Sequence, residues 1–417
     1  MIYYIGLGSN QGDRLGHLTK ALNYLQRLCP VLQISPLLES APLLPEGSPE
    51  TWYSPYINSA VSIEWTSSPT DLLKELQTIE KLCGRIPQER WAPRVIDLDI
   101  LASDGSTSLT ENGLTLPHQH LTQRPFALAP LVHLKPNLRV YDQTVRNHFL
   151  NLKKPLPFLM GVVNCTPDSF SHAPTEISPL QLFESLLKNT VPFIDIGAES
   201  TRPGAQPVSS DEEIRRLTPL FDYWQTHKKD YPWTQISIDT RHSKTAAYAL
   251  EKGAHLLNDV SHLSQPEMRE VAKHYKHVIF MHSLTIPADK NITINKNHSV
   301  VDELHSWCYE KLNTLKDFSL DQLIFDPGIG FNKTPVQSLR LLQNIDAFTD
   351  LPVRLLIGHS RKSFMNLWST QPYSNRAPET LGVSAYLYQK PIHILRVHDV
   401  ELHQRAFLSQ QCLLQKL

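Results

Sequence analysis

The feature that most constrains the fold is a series of short apolar segments in the second part of the chain, each of which ends in polar residues. Eight such segments follow one another, at 158–164, 191–199, 236–239, 255–259, 277–282, 322–330, 353–360 and 391–399. The residues between them leave room for a helix after each segment, for instance at 243–252. This alternation predicts a (β/α)8 TIM barrel, an α/β fold of roughly 250 residues.

Side chains suited to chemistry lie at the carboxyl ends of these segments, where such barrels build their active sites. The candidates are Asn164, Asp195, Asp239, Asn258, Asp326, Lys362, Arg396 and His398. Charged residues also collect in ordinary loops, so a single such ending has little weight. Eight in register favour a functional site at one end of the barrel.

The residues before the barrel follow a different pattern. Strand-like segments and helical spacing alternate in the order β-α-β-β-α-β, at 2–7, 15–28, 31–40, 56–64, 70–83 and 95–101. This order is typical of the ferredoxin-like α+β fold, an antiparallel sheet covered on one face by two helices. Two lysines and two prolines within 151–157 indicate a linker. We therefore predict domains at 1–150 and 158–417.

Charge and cysteine usage narrow the classes of partner. The 40 Lys and Arg nearly cancel the 41 Asp and Glu, so no overall basic field favours nucleic acid or an anionic membrane. The five cysteines are scattered without a C-x-x-C pair, which favours a reducing compartment. Neither a basic leader nor an apolar run of about 20 residues is visible. We expect a cytoplasmic protein without nucleic-acid or membrane partners.

The first chemical constellation is the pair Asp97 and Asp99, which alternate within a strand-like segment and so point to one face. Two neighbouring carboxylates are tolerated when Mg²⁺ lies between them. Arg85, Arg90 and Arg94 offer guanidinium groups to phosphate oxygens, and the combination predicts phosphoryl transfer from a nucleotide. An exposed edge strand with charges on its wet face is the alternative. Neither G-x-G-x-x-G nor a Walker loop is present, which excludes those two nucleotide sites.

Three strings in the first 150 residues resemble the 6-hydroxymethyl-7,8-dihydropterin pyrophosphokinase family: Gly6–Asn10, Tyr56–Asn58 and Arg90–Asp99. The resemblance implies that Asp97 and Asp99 hold two Mg²⁺ with ATP as co-substrate. It also implies that Arg85 and Arg94 stabilise the transferring group. The implied pterin contacts are Asn58 and Phe126, and the implied ATP contacts are Glu80, Arg85, Arg94, His118 and Arg124. For Glu80, a solvated position on a helix face is the alternative.

The barrel segments resemble a second family, dihydropteroate synthase. The matching strings are 161–170, 195–204, 238–240, 258–260, 325–331, 360–362 and 396–399. The resemblance implies that Asp239, Asn258, Asp326 and Lys362 bind the pterin, and that Lys362 and Arg396 are catalytic. The pyrophosphate would contact Asn164, Arg396 and His398, with one Mg²⁺ at Asn164. The p-aminobenzoate would contact Thr201, Arg202, Pro203, Phe331 and Ser360.

Several residues also have simpler interpretations. Ser360 lacks the second glycine of a nucleophile elbow, so a hydrogen-bonding role is favoured. Cys165 is expected to pack as a small apolar residue, and His282 to lie at the rim of the barrel. Asp195 and Asp259 either touch substrate or orient neighbours. The residues 171–174 depart from the family pattern of an Asp and glycines, from which we expect altered closure of the first loop.

Together the two halves predict a bifunctional enzyme of folate biosynthesis, in which the product of one domain is the substrate of the other. A pterin-dependent methyltransferase barrel and a pterin-binding protein without turnover are the alternatives. The residues implied for the p-aminobenzoate loop and the attached kinase-like domain argue against the former. The presence of Asp97, Asp99, Arg396 and His398 argues against the latter. The partners expected are small-molecule substrates, and the family suggests a homodimer through the barrel.

Overall fold

The computed structural model describes residues 1–105, 108–111, 113–166, 177–199, 207–286, 288–289 and 291–414. The chain divides into two compact units, Met1–Leu156 together with Gln404–Leu417, and Pro157–His403. The division places the last residues with the first unit, whereas the predicted boundary keeps them with the second. No helix among the described residues is long and apolar enough to cross a membrane.

The first unit contains a mixed set of short and long strands with four helices. Its strands are β1 Ile2–Ser9, β2 Val31–Ile34, β3 Leu38–Ser40, β4 Tyr56–Glu64, β5 Asp97–Ser103, β6 Leu109–Glu111, β7 Leu114–Leu116, β8 Arg139–Val140 and β9 Gln143–Thr144. Its helices are α1 Arg14–Leu28, α2 Pro69–Leu82, α3 Pro125–Leu134 and α4 Val145–Leu150.

The main sheet has the order β2-β4-β1-β5, with β3 also paired to β4. All these pairings are antiparallel, which confirms the ferredoxin-like arrangement. The single strand predicted at 31–40 is wrong, because β2 and β3 are separate strands with Pro36 between them. Proline has no N–H to donate to a ladder and therefore interrupts pairing there.

Helix α2 shows how local sequence places one wall of the first site. The Ser68 side chain accepts the backbone N–H of Asp71, and Pro69 begins the helix, which satisfies the helix start. Leu72, Leu76 and Ile79 are buried, so the helix packs its apolar stripe against the sheet. The same buried face carries Glu80.

The second unit is a closed barrel of eight parallel strands, which confirms the predicted (β/α)8 architecture. The strands are β10 Phe158–Asn164, β11 Phe193–Gly197, β12 Gln235–Asp239, β13 Leu256–Asp259, β14 His277–Met281, β15 Leu323–Asp326, β16 Arg354–Ile357 and β17 Ile394–Val397. The helices are α5 Pro179–Lys188, α6 Ser210–His227, α7 Ser243–Glu251, α8 Pro266–Ala272, α9 Val300–Thr314, α10 Pro335–Gln343 and α11 Ala377–Leu387. A last helix, α12 Val400–Leu414, begins in this unit, and its residues from Gln404 onward belong to the first unit.

A side chain from the end of the chain completes the edge of the first sheet. The Gln411 Oε1 atom accepts the backbone N–H of Ala41 at 3.0 Å, and its Nε2 donates to the carbonyl of Glu39 at 3.4 Å. The amide of Gln411 therefore serves strand β3 as a neighbouring backbone would, which satisfies two groups of an edge strand.

Candidate active sites

A cavity of about 530 Å³ in the first unit collects most of the residues implied for the kinase reaction. Those that line it are Asn58, Arg94, Asp97, Asp99, His118, Arg124 and Phe126. Strand register explains the opening, since Gly8 of β1 pairs with Asn58 on one side and with Asp97 on the other. Gly6 likewise pairs with Asp99. Glycines at these two positions leave the space above the strand to the neighbouring side chains.

The two carboxylates of β5 are held in different ways. Asp97 Oδ1 accepts Nη1 of Arg85 at 2.8 Å and Nη1 of Arg94 at 2.6 Å. Asp99 lies near Arg124, with Nη1 and Oδ2 separated by 3.9 Å. Desolvation and repulsion from Asp97 raise the pKa of Asp99 to about 7. The strand therefore presents two mutually repelling carboxylates to the cavity, and a divalent cation between them would relieve the repulsion.

Glu80 does not line the cavity but lies behind Asp97. Its Oε1 accepts the backbone N–H of Leu98 at 2.8 Å and pairs with the guanidinium of Arg85. The side chain is buried, so the alternative of a solvated glutamate on a helix face is wrong. Burial raises the pKa of Glu80, while the Leu98 N–H and Arg85 oppose the rise. Glu80 thus connects α2 to β5 and positions Arg85 against Asp97.

Asn58 and Phe126, the residues implied for pterin binding, both line this cavity. Asn58 Nδ2 donates to Ser40 Oγ at 2.9 Å and to the Leu38 carbonyl at 3.3 Å. Its orientation leaves Oδ1 as the acceptor, 3.3 Å from where a Cβ on residue 8 would lie. A side chain at Gly8 would therefore crowd this oxygen. The Arg124 guanidinium carbon lies 5.9 Å from the Phe126 ring centroid, within cation–π range.

His118 and Tyr56 add two further groups to the cavity. Burial, together with the positive charge of Arg124, lowers the pKa of His118 to about 4. The imidazole is therefore neutral at pH 7, and it can offer a hydrogen bond without adding a charge. Sequence reasoning did not assign Tyr56, although it stands two residues before Asn58. The alternation of side chains along β4 was the signal that could have found it.

At the mouth of the barrel, Arg396 is surrounded by three carboxylates from other strands. Its Nη1 donates to Asp195 Oδ2 at 2.7 Å and lies 3.8 Å from Asp239 Oδ2. Its Nη2 lies 3.8 Å from Asp326 Oδ2. Burial opposes the charged guanidinium, but the three carboxylates raise the pKa of Arg396. Asn258 Nδ2 also donates to Asp195 at 2.9 Å, so Asp195 orients both neighbours.

The two oxygens of Asp326 differ in their hydrogen bonding among the described residues. Oδ1 accepts the backbone N–H of Gly328 at 2.8 Å, whereas the buried Oδ2 has no hydrogen bond among the described residues. Gly328 has φ = 65°, and an added Cβ would lie 2.2 Å from the carbonyl oxygen of His282. Only glycine fits this turn. A buried carboxylate oxygen without a hydrogen bond is costly even beside a cation such as Arg396, and it points to a ligand that donates to it.

Two other residues implied for pterin binding, Asp239 and Lys362, have strongly shifted pKa values. Desolvation and the Asp195 carboxylate raise the pKa of Asp239 to about 8, against the effect of Arg396. Burial lowers the pKa of Lys362 to about 7. The Lys362 Nζ donates to the Ile329 carbonyl at 2.5 Å and lies 4.6 Å from the Phe331 ring centroid. Perturbed groups that converge in one place are typical of a functional site.

The residues implied for the anion lie around the ends of β10, β16 and β17. Asn164 is exposed at the end of β10. His398 Nδ1 lies 2.9 Å from Ser360 Oγ, so Ser360 contacts a residue implied for the pyrophosphate. The Nε2 atom of His398 lies 2.9 Å from the hydroxyl of Tyr373. Thr201, Arg202, Pro203 and the departure at 171–174 lie outside the described residues.

Three simpler interpretations can be compared with the structure. Asp259 accepts the backbone N–H groups of Ser261 and Leu263, both at 2.7 Å, so it orients a turn. Burial raises the pKa of the Cys165 thiol to about 12, which fits a packing role. His282 follows β14 and packs edge-on against Trp307, with ring centroids 4.8 Å apart.

Sequence reasoning missed Lys333, which lies near the residues implied for pterin binding. Its Nζ contacts His282 Nδ1 and the Phe331 carbonyl, both at 2.9 Å. Burial lowers the pKa of Lys333 to about 7, and the carboxylate of Asp326 opposes that change. Asp326 therefore lies within the electrostatic reach of two lysines. The position of Lys333 two residues after Phe331 was a signal, because that string carries other site residues.

Comparisons with known proteins agree on both halves. The profile of 7,8-dihydro-6-hydroxymethylpterin-pyrophosphokinase matches residues 4–136, and that of pterin binding enzymes matches residues 160–398. The folate synthesis bifunctional protein of Chlamydia muridarum is 34% identical and the match covers 97% of this chain and 96% of that protein.

Solved structures of dihydropteroate synthases resemble the barrel. The enzyme of Anaplasma phagocytophilum with bound 6-hydroxymethylpterin-monophosphate has a TM-score of 0.55 at 29% identity, over 62% of this chain and 99% of that one. The Xanthomonas albilineans enzyme with 4-aminobenzoic acid has a TM-score of 0.56 at 28% identity, over 63% of this chain and 94% of that one.

Proposed function

The chain belongs to the family of bifunctional folate-synthesis proteins, and from that premise we propose which residues carry its two consecutive reactions. The first reaction transfers pyrophosphate from ATP to 6-hydroxymethyl-7,8-dihydropterin and releases AMP. The second joins the resulting pterin pyrophosphate to p-aminobenzoate, which gives 7,8-dihydropteroate and pyrophosphate. We assign the first to 1–150 and the second to 158–417, with 151–157 as the linker.

In the first domain the paired carboxylates of β5 carry the proposal. Asp97 and Asp99 face one cavity together with Arg94 and Arg124. The hydroxymethyl oxygen of the pterin attacks the β-phosphorus of ATP, its proton leaves, and the bond to the α-phosphate breaks. Arg85 and Arg94 stabilise the charge on the transferring group. His118 and Arg124 surround the ATP, and Glu80, which was implied as a further ATP contact, acts on it through Arg85.

Asn58 and Phe126 bind the pterin in this domain. The Oδ1 acceptor of Asn58 receives an N–H of the pterin edge, and its amide nitrogen is already held by β3. Phe126 lines the cavity and offers a ring face on which the bicyclic pterin stacks. Because Gly6 and Gly8 have no side chains, both rings of the pterin can approach strand β1 closely.

Magnesium fits the residues present. Asp97 and Asp99 would hold two Mg²⁺ in the first domain, because both carboxylates face one cavity, where burial and repulsion from Asp97 raise the pKa of Asp99. In the barrel Asn164 would contribute one exposed oxygen to a single Mg²⁺. When bound, the ion would offset the negative charge of phosphate oxygens.

In the barrel the pterin binds at the carboxylates around Arg396. The pterin presents adjacent N–H donors, and Asp326 has a buried oxygen without a hydrogen bond among the described residues, so the two are complementary. Asp239, Asn258 and Lys362 complete the pterin contacts. The lack of a hydrogen bond to Asp326 Oδ2 among the described residues is the observation that most supports this assignment.

The leaving pyrophosphate lies at Asn164, Arg396 and His398, which draw negative charge away as the bond between the methylene carbon and oxygen breaks. The amine of p-aminobenzoate then attacks the methylene carbon and loses a proton. Lys362 and Arg396 are the catalytic cations. Thr201, Arg202, Pro203, Phe331 and Ser360 frame the p-aminobenzoate, and Ser360 also holds His398.

The assembly and the compartment complete the proposal. We expect a homodimer formed through the barrel in the cytoplasm. Analytical ultracentrifugation of the intact chain tests the dimer, and a single monomeric species at working concentration contradicts it. Fractionation of cells that express the chain tests the compartment.

The decisive experiment compares the wild type with an Asp97→Ala, Asp99→Ala variant in a coupled assay with labelled p-aminobenzoate. We expect the wild type to form dihydropteroate from the pterin alcohol with ATP and Mg²⁺. The variant should form it only from the pterin pyrophosphate. If the variant still uses the alcohol, the assignment of the carboxylates is wrong. If the wild type uses neither pterin, the assignment of the barrel is wrong.

A further inference from the structure

One side chain of the first unit comes from the far end of the sequence. Gln411 lies in α12, among residues that belong to the first unit although they follow the barrel in sequence. Its Oε1 accepts the backbone N–H of Ala41 at 3.0 Å, and its Nε2 donates to the carbonyl of Glu39 at 3.4 Å. A backbone N–H can only donate and a carbonyl can only accept, so these two partners fix which way the amide points.

Ser40 lies between these two contacts and holds the side chain of Asn58. Ser40 Oγ accepts Asn58 Nδ2 at 2.9 Å, and the Leu38 carbonyl accepts the same nitrogen at 3.3 Å. Since the carbonyl can only accept, the nitrogen of the Asn58 amide is the atom that faces β3. Ser40 and Asn58 are both buried. The orientation of Asn58, and with it the acceptor offered to the pterin, therefore depends on where β3 lies.

Strand β3 is short and lies at the edge of its sheet. It has three residues, and its one strand partner among the described residues is β4. Backbone pairing alone holds such a strand weakly. The two bonds to Gln411 fix the peptide groups directly before and after Ser40. An ion pair between the Glu39 side chain and Arg14, at 2.9 Å, adds to them.

Two cavities share the wall that contains Ser40. The larger, of about 530 Å³, is the proposed kinase site, and a smaller one has about 280 Å³. Ser40, Ala41 and Phe126 line both cavities. Gln411 lines the smaller cavity and is not among the described residues that line the larger one. It therefore reaches the wall of the pterin site from behind.

We propose that Gln411 is a positioning residue for the kinase reaction. Its amide fixes β3, so that Ser40 holds the side chain of Asn58 in the orientation that receives the pterin. The inference rests on the proposed function, since it takes Asn58 as a pterin contact. A residue that follows the barrel in sequence thus contributes to substrate recognition in the first of the two reactions.

The test is Gln411→Met, which removes both hydrogen bonds and keeps the length of the side chain. We expect the KM of the kinase for 6-hydroxymethyl-7,8-dihydropterin to rise about three- to tenfold, the size of one hydrogen bond. The kcat and the KM for ATP should each stay within about twofold. Gln404→Met is the matched control, because it makes the same change about 10 Å earlier along α12. A general loosening of the domain would change all three constants, and that result would overturn the inference.

Two further variants separate this inference from the assignment on which it rests. If Asn58→Ala leaves the KM for the pterin unchanged, the pterin contact is assigned wrongly and the inference fails with it. If Asn58→Ala raises this KM but Gln411→Met does not, the inference alone is overturned. Combining Gln411→Met with Ser40→Ala should raise the KM by less than the product of the two single effects, because both changes act on one contact. Effects that multiply would show that Gln411 does not act through Ser40.

Discussion

The two sites balance charge in opposite ways. In the first domain one carboxylate, Asp97, receives two guanidinium groups, from Arg85 and Arg94. In the barrel one guanidinium, Arg396, lies among the carboxylates of Asp195, Asp239 and Asp326. In the first cluster Asp97 is about one quarter exposed. In the barrel cluster Asp195 and Asp326 are each 1% exposed, and Asp239 is 24% exposed.

The difference follows the ligands proposed for each site. ATP carries several negative charges and binds together with metal cations. The first site therefore surrounds the carboxylates of Asp97 and Asp99 with arginines that remain partly hydrated. A pterin edge brings N–H donors, so the barrel keeps an excess of buried acceptors and neutralises them with one arginine. A buried ion pair is costly to break, whereas a hydrated pair contributes little to stability.

The largest effect should come from Arg396→Met, which leaves the buried Asp195 without its ion-pair partner and removes a neighbouring cation from Asp239 and the buried Asp326. We expect the free energy of unfolding of the barrel to fall by about 3–5 kcal/mol, with loss of synthase turnover. Arg94→Met is the matched control, because Asp97 keeps Arg85 and the loss should be about 1 kcal/mol or less. Differential scanning calorimetry measures both, and equal losses would show that the two sites do not differ in this respect.

Asp326→Asn tests the acceptor role without changing the volume of the side chain. We expect kcat/KM for the pterin pyrophosphate to fall about a hundredfold or more, since losing one partner of a buried charged hydrogen bond costs about 2–5 kcal/mol. The kinase reaction of the same variant should be unchanged. A variant that keeps its synthase activity would exclude Asp326 as the main pterin contact.

The pH dependence of the synthase should report Lys362. Burial lowers its pKa to about 7, so the ammonium is present below that pH and is lost as the pH rises. If the cation is needed, kcat/KM should fall about tenfold per pH unit above pH 7. Lys362→Arg should fall less steeply than the wild type there, because a guanidinium stays charged, whereas the titrations of Asp239 and Lys333 are common to both proteins. A wild-type profile that is flat up to pH 9 would contradict this role.

The smallest effect is expected for Glu80→Gln in the first domain. The amide keeps the volume and can still accept the N–H of Leu98, but it loses the charge that positions Arg85. We expect a fall of about three- to tenfold in kcat of the kinase, with the KM for pterin nearly unchanged. Glu75→Gln on the exposed side of α2 is the control. If Glu80→Gln and Glu75→Gln change the kcat of the kinase equally, Glu80 does not position Arg85.

Much of the fold and part of the site could be predicted from the sequence. Apolar segments that end in polar residues identified all eight barrel strands, because a parallel strand is buried on both faces and places its polar end at the mouth. The alternation at Asp97 and Asp99 predicted a shared face, and both residues line one cavity.

What could not be predicted depends on contacts between distant residues. Asp195 meets Arg396 although the two are 201 positions apart, and no local pattern indicates that pair. Glu80 was assigned to ATP, but its burial behind Asp97 follows from how α2 packs on β5. The position of Gln411 beside β3 depends likewise on a contact across 370 positions.

The amide of Gln411 on strand β3 has a consequence for synthesis on the ribosome. The first unit contains Gln404–Leu417, so the ribosome must translate all of Pro157–His403 before the residue that completes this sheet edge emerges. During that interval β3 keeps an open edge, which can pair with another strand. A chain that ends before Gln404 would therefore lack the Gln411 contacts. The loss would affect the kinase domain, although that domain is synthesised first.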